Sequence, residues 1–546
     1  MQKLKLTGLS ILSGLLMGLS WPATGNLGPL FFIALIPLLY VEYTVAQNSE
    51  KFKSRHVFFN AYLAFLTFNV FSTWWIWYAS EAGMIMAEVL NSLFMATVFL
   101  WFHNIKKRLG DKKGYFSLVV LWIGFEWLHY NWEFSHPWSS FGNTFANYTK
   151  LVQWYEYTGV LGGTLWILVI NILLFKLFQK TIILGESIKT NIKSIIIICL
   201  VVLTPSIFSI ITYNNYVEKD DPSEIVVVQP NIDPYYDKFG GMTEAEQVDR
   251  ILALARKKIT PDTKYIVAPE TAIPRGSIEN EFEYNYGIIQ IRKLLAEYPN
   301  ISFVIGISSY INYQRGGDKP TSTSRQNPQT KIWYDAFNSA ILIDHSPVIQ
   351  IYHKSKLVLG VEKLPYPKLF APLEKFAIDL GGTFGSLGVE KESKVFTDRG
   401  KGIAPVICYE SIYGDYLTTY VKKGANMIFI ITNDGWWDNT PGYKQHLSYA
   451  RLRAIETRRS IARSANTGTS CFINQRGDIS NATNWWQQDV ISASINSNDK
   501  MTFYAENGDL LGRVSAAIAV LLLLWSWSIK IKRKFNKDVH VERPTL

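Results

Sequence analysis

GIAPVICYE, residues 402–410, decides the fold: an apolar run ends abruptly in a cysteine, a tyrosine and a glutamate. A short continuous apolar run closed by polar residues reads as a buried strand whose C-terminal end opens onto a loop. The same texture recurs in EIVVVQP (224–230), YIVAPE (265–270), SFVIGISSY (302–310), NSAILID (338–344) and ANMIFIITND (425–434). Helical spacing occupies 243–258, 284–298 and 443–460. Strands alternating with helices predict an α/β domain with a covered sheet, over about 215–505, long enough for its own core. Residues 312–335 are polar and rich in Gly and Pro, and predict an exposed, strand-free excursion between two strands. The Gly-rich stretch 376–388 lacks the Lys-Ser/Thr and the strand-to-helix setting of a phosphate loop, so no nucleotide site is expected there.

Upstream the texture changes. Seven apolar runs, 5–22, 26–46, 56–80, 84–104, 115–131, 159–178 and 194–213, precede the α/β region, and an eighth, 514–529, follows it. A spanning helix needs about 20 mostly apolar residues, so the pattern predicts a polytopic α-helical membrane bundle of eight spans. The excess of Lys+Arg over Asp+Glu is +10, and it is distributed unevenly. Lys3 and Lys5 precede the first run; Lys51, Lys53 and Arg55 separate the second from the third; Lys106, Lys107, Arg108, Lys112 and Lys113 separate the fourth from the fifth. Lys176, Lys180, Lys189 and Lys193 surround the sixth-to-seventh loop, and Lys530, Lys532, Arg533 and Lys534 follow the eighth run. Loops 22–25 and 81–83 hold no Lys or Arg, and 132–158 holds only Lys150. Cationic loops stay cytoplasmic, so both termini are expected inside and the α/β domain outside. The charge therefore marks topology and predicts no nucleic-acid partner. Residues 1–24 carry the basic start, apolar core and small residues of a signal peptide; a retained helix is expected. The predicted divisions are 1–213 (membrane domain), 214–505 (α/β domain) and 506–546 (a last span and a basic tail). Glu126 is the one clear internal ionisable residue of the runs, close to a span end. Charged residues make up 18% of the 546 and hydrophobic ones 48%, with Trp 18, Tyr 29 and Phe 31, which excludes a disordered chain. Three cysteines exclude a disulfide scaffold and a four-cysteine zinc site.

In α/β sheets functional residues collect beyond strand C-termini. Glu270 after YIVAP, Cys408 after GIAPVI and Asp434 after MIFIITN stand there. Cys199, inside IIIICLVV, and Cys471, inside TSCFIN, read as buried packing residues. Cys408 differs, being followed by Tyr409 and Glu410. A nucleophilic cysteine needs a base to take its proton and a cation or backbone dipoles for the oxyanion; Lys354 in IYHKSKLV can supply the cation. His353 and His446 read as isolated and structural, and no metal site is expected.

Taken in order, Glu270 in APETAIP, Lys354 in YHKSKLV and Cys408 in ICYES resemble the Glu-Lys-Cys triad of the nitrilase, or carbon-nitrogen hydrolase, superfamily. Within an eight-span frame they are similar to the apolipoprotein N-acyltransferase family of bacterial envelopes, over essentially the whole chain. The resemblance implies a nitrilase-like α-β-β-α sandwich outside the cytoplasm. It also implies supporting roles for Glu362, Tyr409, Glu410, Asn338, Asn433, Trp436 and Phe239. The chain departs from the family at Leu359-Gly360-Val361, where Pro-Phe-Gly is usual, and at Phe239, where tryptophan is common. By resemblance, Glu270 deprotonates Cys408, and the thiolate attacks a phospholipid ester. Lys354 and the Tyr409 N–H hold the oxyanion, and the acyl-thioester then passes to the α-amino group of a diacylglyceryl-cysteine lipoprotein. The implied partners are membrane phospholipid, diacylated apolipoproteins and the bilayer of a bacterial inner membrane, with no cofactor. Trp132, Trp138 and Trp154 in the outside loop are expected at the membrane interface. A membrane-tethered amidase would use the same three residues, and a transporter would require ionisable residues buried mid-span.

Overall fold

The computed structural model describes residues 2–363, 366 and 386–541, leaving most of the Gly-rich stretch 376–388 outside the described residues. Each apolar run upstream of residue 216 forms a helix, the arrangement that satisfies backbone N–H and C=O groups within one segment when no water is at hand. Counting helices of eight residues or more, α1 spans Gln2–Ser20, α2 Ile36–Gln47, α3 Ser54–Thr73, α4 Glu81–Leu109, α5 Asp111–Asn131, α6 Val160–Phe178 and α7 Ile192–Asn215. The Ser80 hydroxyl caps α4 by accepting from Gly83 N–H at 3.0 Å. Gly110, at φ +86°, makes the sharp turn into α5.

Among the described residues five helical segments are long and apolar enough to cross a membrane: Gly28–Gln47, Glu81–Leu109, Val160–Ile183, Ile188–Asn215 and Leu510–Arg533. α7 turns Ile196, Ile197, Leu200, Leu203 and Ile207 outward and buries only Ile198 and Ser209. Cys199 is exposed on this helix, so it is not the packing residue expected; Cys471 is buried.

Glu126 is not alone inside the bundle. It accepts from Trp122 Nε1 (3.0 Å), Phe141 N–H (2.9 Å) and Thr164 Oγ1 (2.6 Å). Glu42 is buried as well, bonded to His103 Nδ1 at 2.7 Å and Lys106 Nζ at 2.5 Å, and Glu88 accepts from Thr73 Oγ1 at 2.6 Å. These bonds tie neighbouring helices together.

Among the described residues the α/β region contains two sheets. β1 (Pro222–Gln229), β2 (Thr263–Val267), β3 (Ile273–Ile278), β4 (Ser302–Arg315), β5 (Arg325–Gln326), β6 (Ile332–Ile343), β7 (Gln350–His353) and β14 (Asp489–Asn496) build the first, in the order β14-β1-β2-β4-β6-β5 with β3 on β4 and β7 on β6. β8 (Phe396–Asp398), β9 (Lys401–Ile407), β10 (Met427–Thr432), β11 (Ser460–Ala465), β12 (Cys471–Ile473) and β13 (Ile479–Ser480) build the second, in the order β13-β12-β11-β10-β9-β8. Strand alternation separates two cores. Ile225, Val227, Val267 and Val304 meet Ile403, Phe429 and Ile431 between the sheets. Val226, Val228, Ile266 and Ile305 instead cover α8 (Glu244–Arg256) and α9 (Tyr286–Glu297) through Val248, Ile251, Ile291 and Leu294. Beyond the second sheet lie α10 (Gly414–Lys422) and α11 (Pro441–Thr457), completing the four layers. The excursion expected to be strand-free instead prolongs β4 to Arg315 and carries β5, because β4 and β6 stay paired to Arg315↔Ile332.

α11 is buried on both sides. Ala450 and Ala454 face the second sheet, while Tyr449, Leu452 and Ile455 join the core of the N-terminal helices. Trp138, expected in a membrane belt, is only 2% exposed. Its ring lies 4.8 Å from Trp75, 5.7 Å from Trp437 and 5.2 Å from Tyr449, so it cements the sandwich to the bundle. Trp132 and Trp154 are half-buried. α12 (Leu510–Val541) returns along α5.

Candidate active site

Strand ends bring the predicted triad together. Lys354 is the first residue beyond β7 and Cys408 the first beyond β9; Glu270 stands three beyond β2. Backbone bonds prolong the pairing past the strands: Ala268 N–H to Val304 O, Gly306 N–H to Pro269 O and Lys354 N–H to Asn338 O. Gly306 is needed for that approach, since a Cβ there would stand 2.4 Å from Thr271 N and 2.7 Å from Glu270 Cα.

Lys354 Nζ donates to Glu270 Oε1 at 3.1 Å and to Glu362 Oε1 at 2.9 Å. Asn338 Nδ2 bridges the same two carboxylates, at 2.8 and 3.1 Å. The second Glu270 oxygen accepts from Asn433 N–H at 3.1 Å, and Glu362 Oε2 accepts from Val358 N–H at 2.9 Å. Cys408, 7% exposed, shares with these groups a cavity of about 520 Å³, to which Phe239 and Trp436 add a stacked wall with centroids 6.5 Å apart.

The other expected residues divide. Tyr409 opens into a neighbouring apolar cavity of about 120 Å³, walled by Met86, Leu90 and Phe94 of α4. The departure Leu359-Gly360-Val361 shapes the partition: Val358 O accepts from the N–H groups of Val361, Glu362 and Lys363, and Val358 and Val361 border both cavities. Glu410 faces neither cavity. Fully buried, it accepts from Tyr352 Oη (2.5 Å), Ser355 N–H (2.7 Å) and Ile407 N–H (2.9 Å), and so ties the lysine loop to the cysteine turn.

Burial alone would raise the Glu270 carboxyl, but the Lys354 ammonium, the Asn338 amide and Lys238 outweigh it and hold it below the ordinary value. Burial would likewise lower Lys354, and the carboxylates Glu270 and Glu362 raise it well above normal. Cys408 goes the other way. Burial, reinforced by the Glu270 charge, pushes its thiol far up, and Lys354 only partly opposes this. These directions leave the Cys408 sulfur as a thiol beside an ionised Glu270 carboxylate.

Lys238 was not anticipated. Its ammonium donates to Glu270 O at 2.9 Å, and burial lowers it to about 8. One lysine among the polar residues of DPYYDKFGG carries no periodic signal. Asp434, a strand-end candidate, lies outside the cavity; burial would raise its carboxyl, but Arg463 and His446 hold it far below normal. Neither histidine is isolated. His353 sits between Glu279 (2.7 Å) and Glu390 (3.2 Å), and His446 between Asp434 (3.0 Å) and Ser411 (2.8 Å). Among the described residues no cluster of three or more His, Cys, Asp or Glu could hold a metal ion.

The family model described as Apolipoprotein N-acyltransferase N-terminal domain matches residues 13–173, and that described as Carbon-nitrogen hydrolase matches 225–501. An apolipoprotein N-acyltransferase from Chlorobaculum tepidum is 32% identical over 526 residues, covering 94% of this chain and 95% of its own. The chain belongs to the apolipoprotein N-acyltransferase family. Apolipoprotein N-acyltransferase 1 of Treponema denticola is 25% identical, covering 94% of each chain. Among solved structures, an amidase from Nesterenkonia sp. aligns with 55% of this chain and 99% of its own, at 14% identity and TM-score 0.36.

Proposed function

We propose that this acyltransferase moves an acyl chain from a membrane phospholipid to the N-terminal amine of a diacylglyceryl-cysteine lipoprotein through a thioester on Cys408. The observation that carries the site assignment is the meeting of Cys408, the ionised Glu270 and the doubly paired Lys354 in one cavity. In the first half-reaction Glu270 takes the Sγ proton as sulfur bonds to the ester carbonyl carbon. Lys354 Nζ and the Tyr409 N–H receive the oxyanion, a contribution of about 3–4 kcal/mol per donor in such sites. The bond from carbonyl carbon to glycerol oxygen then breaks, and Glu270 returns the proton to the leaving lysophospholipid. In the second half the neutral α-amine attacks the thioester and gives its proton to Glu270. The C–S bond breaks and sulfur recovers that proton. Two easier exchanges replace one hard one.

The membrane setting supports lipid-anchored substrates. Residues 1–213 and 506–546 are read as eight spans around the catalytic domain, 214–505, with both termini cytoplasmic and the sandwich on the periplasmic side of a bacterial inner membrane. Along the sequence, cation-rich loops alternate with loops that carry one Lys or none, which supports that orientation. α1 belongs to the bundle, since its Ser13 Oγ donates to Ala34 O at 2.5 Å and a Cβ on Gly14 would meet Ala64 O at 2.4 Å. The small apolar cavity between α4 and Leu359 suits part of a lipid chain. The test is stoichiometric. Adding an N-terminal diacylglyceryl lipopeptide to the reconstituted protein should release one lysophospholipid per N-acylated peptide without free fatty acid; fatty acid release independent of the peptide would mark a hydrolase instead.

A further inference from the structure

The triad does not explain the nucleophile's backbone. Cys408 has φ +48°, a left-handed conformation that is strained for a residue with a Cβ and persists only when its surroundings impose it. The constraint lies behind the turn, away from the cavity. Ser411 Oγ donates to the Cys408 carbonyl at 2.8 Å, and His446 Nε2 lies 2.8 Å from that hydroxyl and 3.1 Å from the same carbonyl, so hydroxyl and ring brace it together. The Nδ1 edge of His446 is locked in turn, 3.0 Å from Asp434 Oδ1 and 3.1 Å from Arg463 Nη2. Arg463 Nη2 donates to Asp434 Oδ2 at 2.6 Å, and all three side chains are fully buried.

The neighbouring residue connects this cluster to the membrane helices. Gln445 Oε1 accepts from Trp75 Nε1 at 3.2 Å and Trp138 Nε1 at 2.6 Å, while its Nε2 donates to Ser72 O at 2.9 Å and Thr24 Oγ1 at 3.3 Å. The rings of Trp138 and Trp437 flank His446 at 6.0 and 5.4 Å. One turn of α11 thus grips the bundle through Gln445 and the nucleophile through His446.

We propose that His446 is a positioning residue for the acyl transfer: its Nε2–H holds the Cys408 carbonyl and so aims Sγ, and Gln445 makes that aim depend on docking of the sandwich against the bundle. The inference rests on the thioester reading of the site. A nucleophile misplaced by about 1 Å loses on the order of 100-fold in rate. The experiment measures single-turnover acylation of Cys408 by phospholipid in the full-length, reconstituted protein, with thermal unfolding followed in parallel. His446→Ala should acylate about 100-fold more slowly, with the half-saturating donor concentration changed by less than about twofold. His446→Gln, whose amide nitrogen falls near the Nε2 position, should recover most of the rate. His446→Asn, whose shorter amide reaches Asp434 but not the carbonyl, should not. If His446→Ala does not fold, the Gln–Asn pair decides. An Asn variant as fast as the Gln variant, a His446→Ala rate within about threefold of wild type, or a defect confined to donor saturation overturns the assignment. Wild-type protein that forms no thioester overturns the functional reading itself, a different result from an acylated wild type with indifferent variants.

Discussion

Replacing Lys354 with methionine keeps the length of the side chain and removes its charge. Two buried carboxylates, Glu270 and Glu362, then lose the ammonium they share at 3.1 and 2.9 Å and keep only the Asn338 amide between them. Losing an oxyanion donor costs about 2.7–4 kcal/mol, or roughly 10²–10³ in rate. A second effect alters the pH profile. Lys354 is the strongest of the groups that hold Glu270 below its ordinary value against burial. Without it, Glu270 titrates higher and is more often protonated at neutral pH, so the residual rate should rise with pH where the wild-type rate is flat. Breaking a buried ion cluster also costs roughly 3–5 kcal/mol of stability, so unfolding temperature must be recorded beside activity. Single-turnover acylation of Cys408 from pH 5 to 9 is the assay. A Lys354→Met protein that folds and acylates within about tenfold of wild type, with an unchanged pH profile, would refute the role given to this lysine.

Three further outcomes are expected. Glu362→Gln leaves Lys354 paired with Glu270 alone, which depresses the base further and should slow single-turnover acylation about tenfold, a fraction of what a general base contributes; an unchanged rate would count against that coupling. Gly306→Ala places a methyl 2.4 Å from Thr271 N and 2.7 Å from Glu270 Cα; displacing the base should cost on the order of 100-fold in acylation, and a near-normal rate would disprove the close-approach argument. Glu410, which burial raises from 4.5 to about 7, binds its proton more tightly folded than unfolded. Its contribution to stability is complete below pH 4.5 and is lost as pH rises through 7. Glu410→Gln should flatten that dependence in thermal unfolding scans, and an unaltered slope would rule it out.

The proposed trio was legible because each member follows a strand end, where a continuous apolar run gives way to polar residues, and because the three in order resemble the nitrilase triad. Strand ends alone also offered Asp434, which lies outside the cavity. Glu410 shows the limit of adjacency. It follows Cys408 by two residues, yet its carboxylate turns back to the Ile407, Ser355 and Tyr352 donors. Lys238 reaches the base through a loop whose composition says nothing of direction. The buried Glu42–His103–Lys106 cluster was hidden for another reason. Lys106 looked like a loop cation because the apolar run fades at 104, but α4 continues to Leu109 and places it one turn beyond His103. Trp138 likewise looked like a belt residue, since its burial depends on Trp75, Trp437 and Tyr449, far away in the chain.

The central claim is a covalent bond between an acyl chain and the sulfur of Cys408. Intact-protein and peptide mass spectrometry of the protein incubated with a single defined phospholipid measures it. The account predicts a mass gain of one acyl group, confined to the Cys408 peptide, absent in Cys408→Ser, and discharged as an N-acyl amide when a diacylglyceryl-cysteine peptide is added. No adduct, an adduct elsewhere, or lipopeptide acylation that survives Cys408→Ser would contradict it.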